Sequence, residues 1–333
     1  MYALSRRFFV SLATGFAIAG AIAPAGAQTS FKIGISSPSV SILSVYFAEG
    51  EIAKKHGLNL EVVSAEGGTR GLQVLMSGEI QAMHVGLAPM VQANNKGADL
   101  RMIGASLNTL PFVIYATKKS DPPIPKGSVI GISTFGSETD IAISIVLRNM
   151  GLTRKDVEIT QLGGTSQRFA ALVAGRAFAA PLLEPSITAA EEKGFTKVID
   201  LYEARTPWVF DGIVIPREWL AKNQQTATNF MKAYLEGTYK GLSDEKWAKE
   251  VIARRLRTRD EKVIDFTYKD YQRLMTRDAS VSIPGAENVF ARLKEIDLAV
   301  VSDKLADHID SRVIDSLKKD GFISGLEKQY SIK

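Results

Sequence analysis

The chain has 333 residues, 45% of them hydrophobic and 23% charged, which excludes intrinsic disorder and leaves room for two compact units with separate cores. Its 41 lysines and arginines against 36 aspartates and glutamates give a formal net charge of +5, too balanced to point to nucleic acid. There is no cysteine, which excludes disulfides, thiolate metal ligands, a catalytic thiol and a lipid-modified cysteine anchor.

Residues 1–27 read as a segment apart. Arg6-Arg7 is followed by an uncharged apolar run from Phe8 to Ala23 and then by Ala25-Gly26-Ala27, the order of an export signal with a small-residue cleavage site. Ser5-Arg6-Arg7-Phe8-Phe9 fits a twin-arginine signal and a general secretory signal equally well. No other apolar stretch reaches the roughly 18 to 20 residues needed to span a bilayer, so the expected product is soluble and lies outside the cytoplasm.

The rest of the chain says nearly the same thing twice, about 96 residues apart. Ile33-Gly34-Ile35-Ser36 returns as Ile130-Gly131-Ile132-Ser133, Gly67-Gly68-Thr69 as Gly163-Gly164-Thr165, and Lys96-Gly97 as Lys193-Gly194. Each copy alternates short apolar runs with helical patterns, the signature of strand-helix-strand units and a mainly parallel sheet. The first copy predicts strands over Phe31 to Ile35, Leu60 to Ser64, Gln81 to Val85 and Arg101 to Ala105; the second, over Val129 to Ser133, Val157 to Gln161, Ala177 to Leu182 and Lys197 to Leu201. Gly57, Gly78, Gly151 and Gly175 follow helical stretches and read as helix ends, while Pro89 and Pro185 read as first helical residues.

Between the copies, the apolar run from Leu110 to Thr117 precedes Asp121-Pro122-Pro123-Ile124-Pro125 and marks a crossing between lobes; a second crossing falls near Thr206 to Pro216. From Arg217 onward the pattern is helical and charged, with no third copy, and is expected to cover the sheets and close the first lobe. The expected fold class is therefore α/β, with two lobes over residues 28–110 and 111–210 and a return to the first lobe over 211–333.

Ligands of parallel sheets bind beyond the carboxyl ends of the strands. The repeat places six loops there: Ser36 to Ser41, Glu66 to Arg70 and Gly86 to Pro89 in one lobe, and Ser133 to Ser137, Gly163 to Arg168 and Leu183 to Pro185 in the other. Candidate ligand-binding residues are Ser36, Ser37, Ser39, Val40, Gly68, Thr69, Arg70, Gly86, Leu87 and Ala88, facing Thr134, Phe135, Ser137, Glu138, Gly164, Arg168 and Glu184, with Trp208 and Asp211 at the second crossing. Each serine reads as a helix cap or as a ligand contact. Arg70 and Arg168 lie in or beside first helical turns, where a cation opposes the helix dipole; they read as anion ligands or as solvated side chains. Ser137-Glu138-Thr139-Asp140 matches a capping box, which would occupy its acids with their own helix. Glu184, immediately before Pro185, is a poor cap and reads as a cleft acceptor or a surface residue. Trp208 and Phe210 stack on a ligand, shut the cleft, or pack between lobes.

Motifs for catalysis are missing: there is no Gly-x-Ser-x-Gly, no Gly-x-x-x-x-Gly-Lys and no Gly-x-Gly-x-x-Gly. His56, His84 and His308 lack metal-ligand spacing, and His84 reads as a core histidine near the cleft. No metal and no cofactor are expected.

Ile-Gly-Ile-Ser at the start of the repeat, Gly-Gly-Thr ahead of Leu75-Met76-Ser77-Gly78-Glu79-Ile80-Gln81-Ala82, then Gly86-Leu87-Ala88-Pro89 and Val214-Ile215-Pro216-Arg217-Glu218-Trp219-Leu220 resemble the substrate-binding proteins of the nitrate/sulfonate/taurine ABC-transporter family. The resemblance implies a type II periplasmic-binding-protein fold, a periplasmic location, and a small-molecule ligand closed between two lobes by hinge motion. It also implies delivery to an inner-membrane permease with a separate ATPase. Two cleft-side arginines favour an organic anion such as a sulfonate, a taurine-like solute or an aromatic carboxylate; Glu138, Glu184 and Asp211 count against an anion and leave a neutral or amino-bearing heterocycle open. The other readings are an enzyme related to pyrimidine synthases on the same fold, and a ligand sensor that addresses a membrane receptor.

Overall fold

The computed structural model describes residues 28–203, 207–296 and 298–332, so the expected export signal lies outside the described residues. The apolar runs of the first copy form β1 (Thr29–Ile35), β2 (Leu58–Ser64), β3 (Ala82–Val85) and β4 (Leu100–Thr109). β5 (Val113–Ala116) follows at the first crossing, the second copy supplies β6 (Val129–Ile132), β7 (Glu158–Gln161), β8 (Ala179–Leu182) and β9 (Thr196–Asp200), and β10 (Pro207–Pro216) is the second crossing. All eight strands expected from the repeat are present, some with ends displaced by a few residues.

Among the described residues the strands make two five-stranded sheets, ordered β2-β1-β3-β10-β4 and β7-β6-β8-β5-β9. Counted by place within each copy, the two orders are the same. β1 pairs in parallel with β2 and β3, and β6 does so with β7 and β8. The fourth place in each sheet is taken by a crossing strand, antiparallel to both its neighbours: β10 arrives from the second copy, and β5 from the first.

Helices after β2 and β7, Gly68–Met76 and Thr165–Val173, are closed by Gly78 and Gly175, whose φ values of +82° and +66° belong to the left-handed region that glycine enters without penalty. Pro89 and Pro185 depart from the expected first helical position. Pro89 is the third residue of the helix Leu87–Asn94, and Pro185 is the N-cap of Ser186–Glu192. The physical reason is that none of the first four backbone N–H groups of a helix has an intrahelical acceptor, so the whole first turn tolerates proline.

The tail packs on the first sheet. The Phe31 ring stacks on Phe230 at 4.6 Å between centroids, and Tyr234, Tyr239, Tyr268 and Tyr271 are buried in the same core. Burying an apolar side chain such as Phe31, Phe47 or Phe230 is worth about 1.5–3 kcal/mol. The tail also reaches the second lobe: Lys262 Nζ lies 2.7 Å from Glu192 Oε1, and the Arg273 guanidinium sits 3.9 Å from the centre of the Tyr202 ring. No helix among the described residues is long and apolar enough to cross a membrane.

Candidate ligand-binding cleft

The loops at the carboxyl ends of the parallel strands meet around one cavity of about 50 Å³, room for a few waters or a solute of similar bulk. The first lobe contributes Ser36, Ser37, Ser39 and Ser41 after β1, Gly67 and Gly68 after β2, and Gly86 and Pro89 after β3. The second contributes Ser133, Ser137, Glu138 and Thr139 after β6, Gly164 and Arg168 after β7, and Leu183 after β8. Phe112, just before β5, and Phe210 in β10 close the back, their rings edge to face at 5.0 Å.

The lobes touch around this cavity, and the touch is reciprocal. A Cβ on Gly67 would stand 2.8 Å from Thr134 Cγ2, and one on Gly164 would stand 2.6 Å from Ser37 Cβ. Ser37 and Thr134 each follow the serine shared by the two copies, so each copy's glycine pair receives the same place of the other. Val40 N–H donates to Glu184 O at 3.2 Å, and Thr69 Oγ1 donates to Phe135 O at 3.0 Å, across the same boundary.

Glu138 is not absorbed by its own helix, Glu138–Asn149. Half of the capping box is realised: Ser137 Oγ accepts from Asp140 N–H at 3.5 Å, while Asp140 Oδ2 accepts from Gly136 N–H at 2.8 Å and its Oδ1 holds Arg154. Glu138 instead crosses the cleft. Its Oε1 accepts from Ala88 N–H at 3.3 Å, in the first turn of Leu87–Asn94, and its Oε2 accepts from Trp208 Nε1–H at 3.0 Å. Burial, and then the neighbouring Asp211 carboxyl, push Glu138 well above the usual carboxylate range. Gly86 makes this approach feasible, because a Cβ there would lie 2.0 Å from Glu138 Oε1 and 2.4 Å from Phe210 O.

Asp211 is buried and lines the cavity. Burial raises it to about 7, opposed only by the Ser41 hydroxyl. Behind it, fully buried His84 directs Nε2 to Ser106 Oγ at 2.8 Å, and Ser106 Oγ donates to Asp211 O at 3.0 Å. Burial drives the His84 ring down to about 3, so it is neutral at physiological pH. Among the described residues no group of three or more histidines and carboxylates is placed to hold a metal ion.

The two arginines part company. Arg168 is 3% exposed, lines the cavity, and donates from Nε to Pro181 O at 2.8 Å and from a terminal nitrogen to Gly163 O at 2.7 Å; burial lowers it to about 9. Arg70 points outward, 65% exposed, 3.7 Å from Glu66, and does not line the cavity. Counted from the threonine of Gly-Gly-Thr, Arg168 aligns with buried Leu72, and Arg70 with exposed Ser166.

Of the residues named from sequence, Ser36, Ser37, Ser39, Gly68, Gly86, Ser137, Glu138, Gly164, Arg168 and Asp211 line the cavity, whereas Val40, Thr69, Arg70, Leu87, Ala88, Thr134, Phe135, Glu184 and Trp208 do not. Val40, Leu87, Ala88 and Trp208 are core side chains, and Phe135 is an exposed ring beside Arg154. Glu184 is buried rather than superficial, but its carboxylate turns back to accept from Thr188 N–H and Oγ1. Burial raises Glu184 to about 7. Phe112, Ile42, Val85 and Thr139 line the cavity without having been singled out in the sequence. Phe112 had one available signal, its place beside the crossing strand.

The family described as NMT1/THI5 like matches residues 53–245, more than half of the chain. The chain belongs to the NMT1/THI5-like family. Solved structures similar to this NMT1/THI5-like chain include a protein of Bordetella bronchiseptica RB50, with a TM-score of 0.77 and 17% identity over 88% of this chain and 98% of that one. The alkanesulfonate-binding protein SsuA from Xanthomonas axonopodis pv. citri, bound to MOPS, gives a TM-score of 0.70 at 17% identity over 85% and 98%. The periplasmic nitrate-binding protein NrtA from Synechocystis PCC 6803 gives 0.70 at 14% over 88% and 89%. These likenesses establish the periplasmic-binding-protein fold. No curated protein matches the chain in sequence.

Proposed function

We propose that this NMT1/THI5-like protein is the solute-binding receptor of an ABC importer, working in the periplasm without catalysis, and that its two lobes close over a small polar solute for delivery to a membrane permease. The observation that carries this reading is the meeting of six equivalent loops from two repeats around a single cavity, walled by hydroxyls, two carboxyls and a guanidinium and closed behind by the two crossing strands. A cavity between lobes joined by two crossing strands suits hinge closure on a ligand. The family membership and the binding proteins among the similar structures support the same reading.

A thermal-shift screen with sulfonates, carboxylates, amines and aminopyrimidines tests it. A solute at 100 times its dissociation constant stabilises the folded form by about 2.7 kcal/mol, a shift such a screen resolves. Failure of every compound in a broad library of small metabolites to stabilise the protein would sink the receptor reading.

A further inference from the structure

The cavity has a polarity of its own, set by Asp211. This residue sits where the pairing of β10 with β4 loses register on both sides, between Pro207 and Asp211 and between Asp211 and Gly212, and such irregularities re-aim a strand side chain. It is 8% exposed and lines the cavity. Facing it are His84 from β3, Ser41 from the loop after β1, Tyr234 from the helix Gln224–Ser243, Glu138 from the second lobe, and Arg168 on the opposite wall.

Of these, the Ser41 hydroxyl alone stabilises a negative charge at Asp211, and neither a lysine nor an arginine among the described residues lies within ion-pair distance of it. Arg168 has already committed two nitrogens to backbone carbonyls. His84 cannot serve as a counter-cation either. Because Ser106 Oγ gives its hydrogen to Asp211 O, it accepts from His84 Nε2–H, which leaves Nδ1 as a bare acceptor. That Nδ1 lies 3.8 Å from Asp211 Oδ2, beyond hydrogen-bond range, and has no partner of its own. Apart from hydroxyls, of which Ser41 reaches it, the Asp211 carboxyl therefore meets no N–H donor and no cation among the described residues.

We infer that the solute presents an N–H donor, ammonium, amidinium or amide-like, to Asp211, and that a donor-free oxyanion is not the cognate ligand. This rests on the receptor reading above. Glu138 is already held toward its neutral form, so an oxyanion without a donor would need Asp211 protonated as well, whereas a donor satisfies the Asp211 carboxylate directly. The serine hydroxyls, which donate or accept, suit either end of such a solute.

The test is isothermal titration of a library sorted into donor-free anions (nitrate, methanesulfonate, acetate, benzoate) and N–H-bearing solutes (2-aminoethanesulfonate, acetamidine, small amides and amines), at pH 6 and pH 8. Asp211 titrates near 7 in the ligand-free protein, and an N–H donor binds its ionised form. Affinity for the cognate solute should then rise about 10-fold from pH 6 to pH 8, the change in ionised fraction of such a group. Asp211→Asn should lower that affinity at least 10-fold and abolish the pH slope. The slope in the unmodified protein stands as evidence even if the variant folds poorly. Binding of a donor-free anion that weakens toward pH 8, or of any solute with an affinity that Asp211→Asn leaves unchanged, overturns the inference and leaves the receptor reading intact. Silence across the whole library overturns both.

Discussion

The two lobes share one sheet order and one set of turns, yet they do not offer the cleft the same chemistry. Five positions after the shared serine, the first copy has Ser41 and the second has Glu138, and only the second reaches across to hold the other lobe. Three positions after the Gly-Gly-Thr threonine, the first copy buries Leu72 in its core and the second places Arg168 on the cavity wall. A duplicated scaffold supplies the geometry of a closed cleft; single substitutions at equivalent places supply its polarity.

The comparison breaks most severely at Gly86. Gly86→Ala puts a methyl group into Glu138 Oε1 and the Phe210 carbonyl, so the closed arrangement has to shift. Overpacking of this kind costs about 1–3 kcal/mol, and solute affinity should fall about 10- to 100-fold, with small-angle scattering showing the lobes held apart in the presence of ligand. Unchanged affinity would mean that Glu138 does not have to occupy this place in the bound form. The arginine pair gives a smaller and more selective contrast. Arg168→Ala leaves the carbonyls of Gly163 and Pro181 without their donor and should cost about 1–3 kcal/mol in urea unfolding, whereas exposed Arg70→Ala should stay within about 0.5 kcal/mol. Equal losses would erase the distinction drawn between the two turns.

The smallest effect separates Glu184 from its counterpart Ala88. Glu184 has a folded-state value near 7 against an ordinary 4.5, so the folded form binds its proton more tightly than the unfolded chain does. Stability gained at low pH is then lost as pH rises from about 4.5 through 7. Glu184→Gln, which keeps an oxygen for Thr188, should flatten that decline by roughly 1–3 °C in calorimetric Tm, and an unaltered profile would place the titration elsewhere.

Much of the fold was legible in the sequence because strands and their bounding glycines are local features, and their recurrence in a second copy removes ambiguity. The crossing strands were legible for the same reason, as the apolar runs that fall outside the repeat. Side-chain direction was not. Arg70 and Arg168 stand one after and three after the same threonine, and on a helix that difference turns one to solvent and the other inward. Glu138 was read as a cap because its own helix offers donors close by in sequence, whereas the donors it takes, Ala88 N–H and Trp208 Nε1–H, lie 50 and 70 residues away and become neighbours only when the lobes meet. Trp208, for which the sequence leaves ligand stacking, cleft closure and packing between lobes open, is fully buried and gives its Nε1–H to Glu138.

The paired contacts of Gly67 with Thr134 and of Gly164 with Ser37 carry a consequence for selection. On the receptor reading proposed above, two stops set at separate points of the rim would give the hinge a single end position, because close-packed interiors do not yield by fractions of an ångström. A receptor built so would measure what it encloses as a caliper does. An oversized solute need not clash with any side chain that recognises it; it keeps the stops from seating, and the jaws never lock.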